Sequence, residues 1–130
     1  MKHLPLIGIT MGDPAGIGPE IIATALADSA LYECCRPVVL GDPGVLSSTI
    51  SSFLPKIPQK LSINIISNPA QAKAMPGVID LIAISELKPG IIQPGRPVVE
   101  GGRAMVEYIL RAVEMTMQGE FGAMVTSPIS

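Results

Sequence analysis

Short apolar runs alternate with segments of helical periodicity along the chain. The apolar runs lie at residues 4–10, 36–41, 61–67, 78–85 and 123–126 and predict five strands. Helices are predicted over residues 19–31, 45–54 and 99–118, with a short one over 68–74, and the Pro-Gly pairs of residues 86–98 predict a loop. This alternation indicates the α/β class, with a mainly parallel sheet, helices on both faces and the first strand in the interior.

The segment 99–118 has the clearest helical pattern. Its apolar side holds Val106, Ile109, Leu110, Val113 and Met117, and its polar side holds Arg103, Glu107, Arg111, Glu114 and Gln118. An apolar helix face is normally covered. We expect part of this face to contact a partner subunit or a part of the protein beyond residue 130.

The composition and net charge of the chain argue against several classes of function. Of the 130 residues 48% are hydrophobic but only 3% are aromatic, and Trp is absent, which is typical of an aliphatic core between helices and a parallel sheet. The formal net charge is −2 without a block of like charge, which argues against a nucleic-acid or anionic-membrane surface. The sequence shows neither a signal peptide nor an apolar run long enough to span a membrane.

The two cysteines, Cys34 and Cys35, are adjacent in the sequence. Neighbouring cysteines do not normally form a useful disulfide because their side chains diverge, so a reducing, cytoplasmic location is expected. A metal site would need further ligands, and the single histidine, His3, lies in the terminal tail. No metal ligand is therefore predicted in this chain.

The most informative segment is the glycine-rich turn Met11-Gly-Asp-Pro-Ala-Gly-Ile-Gly-Pro-Glu20 between the first strand and the first helix. Glycines let a ligand approach the backbone, and free amides at a helix start favour anionic or polar groups. The turn fits neither the Rossmann nor the Walker pattern, and the carboxylates of Asp13 and Glu20 suit a ribose, an amide or an adenine edge better than a pyrophosphate. The candidate cofactor-binding residues are Gly12, Asp13, Gly16, Ile17 and Gly18.

A structural role is the alternative for the same turn. The glycines then only make a tight connection, and Asp13 turns the chain before Pro14. If the turn binds NAD, valine at Gly16 or Gly18 is expected to weaken binding far more than it destabilises the fold.

The string from Gly12 to Glu20, after a strand ending Ile-Thr-Met, resembles the opening signature of the 4-hydroxythreonine-4-phosphate dehydrogenase family, including its relatives acting on phosphorylated threonate or erythronate. Further similar strings are Leu40-Gly41-Asp42, Lys88-Pro89-Gly90, Gly102-Arg103-Ala104, Gly119-Glu120-Phe121 and Thr126-Ser127-Pro128. The resemblance covers essentially the whole chain.

This resemblance implies an isocitrate/isopropylmalate dehydrogenase-like fold, with two α/β domains per subunit and an active site in the cleft at a homodimer interface. Residues 1–130 would form a single, incomplete α/β domain, most of the first domain. The implied reaction is NAD-dependent oxidation and decarboxylation of a phosphorylated hydroxy acid, such as 4-phosphohydroxythreonine or 4-phosphothreonate, with a divalent zinc, magnesium or cobalt ion.

The family's histidine metal ligands and its later substrate contacts lie beyond residue 130. No catalytic residue or metal ligand is therefore assigned to this chain. We expect the isolated chain to be inactive, to bind no divalent metal tightly and to self-associate. Two alternatives to a dehydrogenase remain: a non-catalytic nucleotide- or anion-binding module, and a purely structural truncated fragment.

Several other residues have both a functional and a structural interpretation. Thr126 and Ser127 follow the fifth strand at the sheet edge where α/β proteins place ligands, and are candidates for the substrate cleft, although Ser-Pro is also an ordinary turn. Arg96 and Arg103 could contact a phosphate, but surface pairs with nearby glutamates are favoured. Asp42 resembles the ribose-binding acid of a Rossmann unit, but a role as a turn residue is favoured.

Overall fold

The computed structural model describes residues 3–53 and 60–129. Its five strands are β1 (Leu6–Thr10), β2 (Arg36–Gly41), β3 (Ser62–Ile66), β4 (Val78–Ala83) and β5 (Ala123–Thr126). They form one sheet in the order β3-β4-β2-β1-β5, and each neighbouring pair is parallel. The predicted α/β class, the parallel sheet and the interior position of the first strand are confirmed.

Three α-helices connect the strands: α1 (Gly18–Ala25), α2 (Pro43–Phe53) and α3 (Val99–Met117). The first is shorter than predicted, because the Asp28 side chain accepts a hydrogen bond from the Ala30 amide and starts a separate 3-10 helix at Ser29–Glu33. Residue 54, the predicted end of the second helix, lies outside the described residues.

The short helix predicted over residues 68–74 is only a 3-10 turn at Pro69–Gln71. The buried Asp80 carboxylate accepts hydrogen bonds from the amides of Lys73 and Ala74 and fixes the chain beyond that turn in an extended path. Ala74 has a positive φ of 51°, which a helix would not allow.

The two faces of the sheet carry different helices. On one face, Val39 and Leu81 belong to the core cluster that contains the buried residues of α1 and α2. On the other face, Val38 and Ile82 pack in a cluster with Ala112 and Met115 of α3. Since successive strand residues point to opposite faces, Val38 and Val39 belong to different clusters. The first half of α3 also reaches the cluster of α1 and α2, through Ala104 and Tyr108.

The helix α3 packs on the sheet with a side that hydrophobic periodicity did not identify. Its buried residues are mostly small: Gly101, Ala104, Tyr108, Ala112 and Met115. Four of the five residues of the predicted apolar side are exposed, namely Val106, Leu110, Val113 and Met117. Small residues allow the helix backbone to lie close to the sheet, so the larger apolar side chains point away from it.

Within the described part of the chain, no helix is long and apolar enough to cross a membrane.

Candidate functional site

The glycine-rich turn lies at the carboxyl end of β1, and α1 begins at Gly18. Asp13 shapes this turn: its Oδ1 accepts a hydrogen bond from the Ala15 amide at 2.9 Å, and its carbonyl oxygen accepts one from the Gly16 amide at 2.8 Å. The Asp13 side chain is buried. These contacts agree with the structural alternative for Asp13, in which it turns the chain before Pro14.

Two of the glycines are required by the packing of the protein itself. Gly12 has a φ of +75°, and a Cβ there would lie 2.6 Å from the Pro128 carbonyl oxygen. A Cβ at Gly18 would clash with the Met11 carbonyl oxygen and lie 3.1 Å from the Cβ of Ser127. Contrary to the part of the sequence-based expectation that concerns the fold, valine at Gly18 should destabilise the fold strongly, because that position has no room for a side chain.

Gly16 and Ile17 are the two turn candidates that face solvent. The Ile17 side chain is 57% exposed. A Cβ at Gly16 would lie 3.3 Å from the Asp13 carbonyl oxygen, a tight contact that a small shift can relieve. Of the five cofactor-binding candidates, these two are the ones a ligand could reach directly.

The structure brings the glycine-rich turn close to Thr126 and Ser127, the candidates for the substrate cleft. Ser127 is buried beneath the turn, and its amide donates a hydrogen bond to the Thr10 carbonyl oxygen at 3.2 Å. Thr126, one residue earlier, is exposed at the edge strand. The side-chain oxygen of Thr10 is buried and has no hydrogen-bond partner among the described residues. Thr126 is thus the more accessible of the two cleft candidates.

Asp42 joins three elements at the neighbouring ends of β2 and β4. Its Oδ1 accepts a hydrogen bond from the Val45 amide of α2 at 3.0 Å. Its Oδ2 accepts one from the Ser85 hydroxyl at 2.9 Å and one from the Leu87 amide at 2.7 Å. Asp42 is 1% exposed. It therefore caps α2 as a turn residue would, and it also anchors the loop that follows β4.

Tyr108 of α3 extends this network. Its hydroxyl lies 2.6 Å from the Ser85 Oγ. Because the single Ser85 proton is donated to Asp42, Tyr108 is the donor in this contact. Sequence reasoning missed Ser85 and Tyr108, and no local signal joins two residues that are 23 positions apart.

Both tyrosines of the chain are held in their neutral form. Burial, with Asp80 and Cys35 nearby, raises the pKa of Tyr32 to about 12. Burial, with the charges of Asp42 and Asp13, raises the pKa of Tyr108 still further. The Tyr32 hydroxyl donates a hydrogen bond to the Val78 carbonyl oxygen at 3.2 Å.

We expect the folded chain to show no tyrosinate absorbance near pH 10, where an unfolded chain titrates. The folded state keeps protons that the unfolded state releases, so the free energy of unfolding falls as the pH rises from about 10 towards 12. Ultraviolet titration of native and urea-unfolded protein checks this, since the chain has two Tyr and no Trp. Titration of both phenols near pH 10 in the native protein would contradict it.

A cavity of about 260 Å³ lies beside the glycine-rich turn. Its walls come from Pro14 of the turn, the first two turns of α2 and the loop after β4. The Gly95 amide in that loop donates a hydrogen bond to the Ala15 carbonyl oxygen at 2.8 Å, which ties the loop to the turn. Sequence reasoning did not assign this cavity, although the Lys88-Pro89-Gly90 string that lines it was part of the family resemblance.

The remaining polar candidates do not line the cavity. Arg96 is exposed and its Nη1 donates to the Gln93 side chain at 3.4 Å. Arg103 is exposed on α3. Cys34 and Cys35 are both free thiols. Among residues 3–53 and 60–129, no group of three or more His, Cys, Asp or Glu side chains could hold a metal ion.

The fold is shared with solved dehydrogenases. A 4-hydroxythreonine-4-phosphate dehydrogenase from Burkholderia phymatum matches with a TM-score of 0.90 and 35% identity, over 99% of this chain and 38% of that one. The enzyme of the same name from Klebsiella pneumoniae matches with a TM-score of 0.85 and 34% identity, over 97% of this chain and 38% of that one.

Relatives of known sequence agree with the solved structures. The 4-hydroxythreonine-4-phosphate dehydrogenase of Desulfosudis oleivorans is 45% identical over 100% of this chain and 37% of that protein. A relative from Symbiobacterium thermophilum, provisionally named a D-threonate 4-phosphate dehydrogenase, is 40% identical over 100% of this chain and 38% of that protein. The chain thus spans less than two fifths of the length of these relatives.

The family described as pyridoxal phosphate biosynthetic protein PdxA matches residues 33–130. This match covers about three quarters of the chain, and the relatives above extend it through the glycine-rich turn. The resemblance seen in the sequence is confirmed. The chain belongs to the PdxA family.

Proposed function

We propose that this chain is the amino-terminal part of an NAD-dependent dehydrogenase that oxidises a phosphorylated hydroxy acid. The observation that carries the proposal is the match of 99% of the chain, at a TM-score of 0.90, to a 4-hydroxythreonine-4-phosphate dehydrogenase. The substrate is 4-phosphohydroxythreonine or 4-phosphothreonate, because relatives named for each of these activities match over 100% of the chain. The two free cysteines are compatible with a cytoplasmic location.

The proposed role of this chain is to hold the cofactor at the carboxyl edge of the sheet. NAD, when bound, would supply the acceptor for the hydride that leaves the substrate carbon. The exposed backbone of Gly16 and Ile17 is available to a ribose or an amide group. The buried residues Asp13, Gly12 and Gly18 fix the conformation of the turn. Thr126 places a hydroxyl at the same edge for a polar substrate group.

Decarboxylation and the divalent metal belong to the proposal for the whole protein. The described residues of this chain do not fit a metal ion, since they contain no suitable group of His, Cys, Asp or Glu. The metal ligands, on this proposal, come from the part of the relatives that this chain does not span.

The proposal is tested by comparing this chain with a protein that continues to the relatives' full length. We expect the longer protein to produce NADH from one of the two phosphorylated acids in the presence of a divalent metal, and the 130-residue chain to produce none. NAD binding without turnover by both proteins would instead favour a non-catalytic nucleotide-binding module. If the purified 130-residue chain produced NADH, the proposal that the catalytic residues lie in the part of the relatives that this chain does not span would be wrong.

We also propose that the exposed apolar side of α3 contacts a second copy of the chain. Leu110 is 58% exposed and Met117 is 84% exposed, and with Val106 and Val113 they recur at the spacing of three and four residues seen in helix-helix contacts. Contiguous apolar surface of this kind drives association.

Glutamate at Leu110 is expected to weaken self-association by about tenfold or more, because it places a charge in the apolar contact. Its effect on the stability of a single subunit should stay within about 0.5 kcal/mol, since the site is exposed. Sedimentation equilibrium checks this, with Ser51→Glu on the exposed surface of α2 as a control of equal charge. Equal association of the two variants would refute a contact through this side of α3.

A further inference from the structure

The strand β3 lies at one end of the sheet, and within the described part of the chain it pairs with β4 alone. The Ser62 amide donates a hydrogen bond to the Gly77 carbonyl oxygen at 2.9 Å, and Ser62 is in register with Val78. Along a strand, residues alternate between bonding to one neighbouring strand and pointing away from it. The backbone groups of Ile63 and Ile65 therefore point outwards, away from β4.

This outer edge lacks the usual protection against pairing with another chain. Natural edge strands are normally protected by charged side chains, proline or a bulge. Residues 61–67, Leu-Ser-Ile-Asn-Ile-Ile-Ser, contain no charged residue and no proline. Isoleucine favours strands, and the Ile65 side chain is 60% exposed. An uncharged, β-branched edge of this kind is suited to the addition of a further strand.

The sequence of β3 is complementary to a second copy of itself. Ile63-Asn64-Ile65 reads the same in both directions. In an antiparallel pair of β3 strands about a two-fold axis at Asn64, Ile63 lies opposite Ile65 of the second copy. These are the two residues whose backbone groups point outwards, so each such pair exchanges both of its hydrogen bonds.

The alternation of backbone groups also selects this register. A shift of one residue would place the outward groups opposite residues that already bond to β4. A shift of two residues keeps the outward groups opposite each other but shortens the overlap of the two strands. The register centred on Asn64, the middle residue of Ser62–Ile66, is the one that pairs the whole strand.

The side chains on both faces suit the same pairing. Ile63 packs against the core cluster of α1 and α2, and Ile65 points to the same face because it lies two residues later. The cross-strand isoleucine pairs thus cover apolar surface beside the core. On the other face, Asn64 donates a hydrogen bond to the Asp80 carboxylate at 2.9 Å. An asparagine side chain has a second amide hydrogen and an acceptor oxygen, which suit the Asn64 of the second copy.

We propose that two copies of the chain associate through β3, so that one sheet continues from the first copy into the second. The occupant is a second copy because the outward backbone groups and the side chains of β3 complement the same strand about a single two-fold axis. The contact uses a different surface from the exposed side of α3 and does not depend on the dehydrogenase function. It is small, so the association is weak and increases with protein concentration.

Amide hydrogen exchange of the natural 130-residue chain tests the pairing without any substitution. We expect exchange at Ile63 and Ile65 to slow severalfold between micromolar and millimolar protein, because their amides enter hydrogen bonds in the pair. The Asn64 amide faces β4 in the single copy and should exchange slowly at both concentrations. Exchange at Ile63 and Ile65 that does not change with concentration would overturn the proposal.

A cysteine at the two-fold axis tests the register. In a chain with Cys34→Ser and Cys35→Ser, Asn64→Cys should form a disulfide-linked dimer in oxidised glutathione, since the Cα atoms of a non-hydrogen-bonded pair lie about 4.5 Å apart. Ser62→Cys is the matched control: it faces Ile66 of the second copy, and the two thiols are roughly 13 Å apart along the strands at about 3.3 Å per residue. If the control cross-links as fast as Asn64→Cys, the proposed pairing is wrong.

A charge at the edge separates β3 from the other surfaces of the chain. Ile65→Lys should weaken association by about tenfold or more, because it places a charge opposite Ile63 of the second copy. Val125→Lys is the control, since Val125 is 54% exposed on β5, the other edge strand. Both are compared by sedimentation equilibrium in the Leu110→Glu variant, which removes the proposed α3 contact.

The outcomes separate this inference from the α3 contact. If Ile65→Lys and Val125→Lys associate equally, the β3 contact is refuted, and the α3 contact is judged by Leu110→Glu alone. If Leu110→Glu associates as the natural chain does and Ile65→Lys does not, the α3 contact is refuted and the β3 contact is supported. Slowed exchange at Ile63 and Ile65 without a cross-link in folded Asn64→Cys would show a different occupant and overturn the proposal.

Discussion

Alanine at Gly18 is expected to lower the free energy of unfolding by about 3 kcal/mol or more, which for a small domain amounts to a large part of its stability. The added Cβ would clash with the carbonyl oxygen of Met11 and press on Ser127. A backbone carbonyl directly after the interior strand β1 cannot turn aside as a flexible side chain can. The strand, the turn or the start of α1 must shift, and the sheet resists each shift.

Urea denaturation of Gly18→Ala and Gly16→Ala measures this directly. Gly16 is the matched control because it lies in the same turn, is exposed, and has only a 3.3 Å contact to relieve. Its alanine variant should lose no more than about 1 kcal/mol. Equal losses in the two variants would show that the turn relaxes more freely than its packing indicates.

The contrast between these glycines shows what a local pattern can predict. The spacing of Gly12, Gly16 and Gly18 after an apolar run correctly placed the turn at the end of β1. It could not show that Gly12 and Gly18 lie against Ser127, more than a hundred residues later in the chain. That contact depends on β5 pairing with β1, which is a property of the sheet order and not of the turn.

The helix α3 shows a second limit of the same kind. The 3.6-residue period placed the helix almost to the residue. Hydrophobicity selected the side with Leu110 and Met117, whereas the side packed in the core clusters with strand residues holds Ala104 and Ala112. Small residues give a weak hydrophobic signal, but they let a helix lie close to a sheet, and this close approach leaves the larger apolar side exposed.

The candidate site was predicted less completely than the fold. The sequence identified the turn and Thr126, and the structure placed them on one edge of the sheet. The cavity depends on the adjacency of β2 and β4, which are separated along the chain by α2 and β3. Asp42 was considered a turn residue because its neighbours Pro43 and Gly44 are turn formers, and nothing nearby indicated its contact with Ser85.

Removal of the Asp42 carboxylate is expected to be the most costly change at this site. Asp42→Ala leaves the amides of Val45 and Leu87 without their acceptor, and the Ser85 hydroxyl loses its partner. A buried donor without a partner costs about 1–3 kcal/mol, so we expect a loss of roughly 3–5 kcal/mol in total. The loop after β4 and the first turn of α2 should loosen together.

Two milder variants show whether the carboxylate itself is needed. Asn at position 42 has one acceptor oxygen, so its NH₂ group must face the amide of either Val45 or Leu87, and we expect a loss of about 2 kcal/mol. Tyr108→Phe removes only the outermost donor of the network and should cost about 1 kcal/mol. In urea denaturation, the loss in the free energy of unfolding should therefore be largest for Asp42→Ala, smaller for Asp42→Asn and smallest for Tyr108→Phe. If the free energy of unfolding of Asp42→Ala lay within about 1 kcal/mol of that of the natural chain, water would be replacing the carboxylate. Asp42 would then not hold the cavity walls.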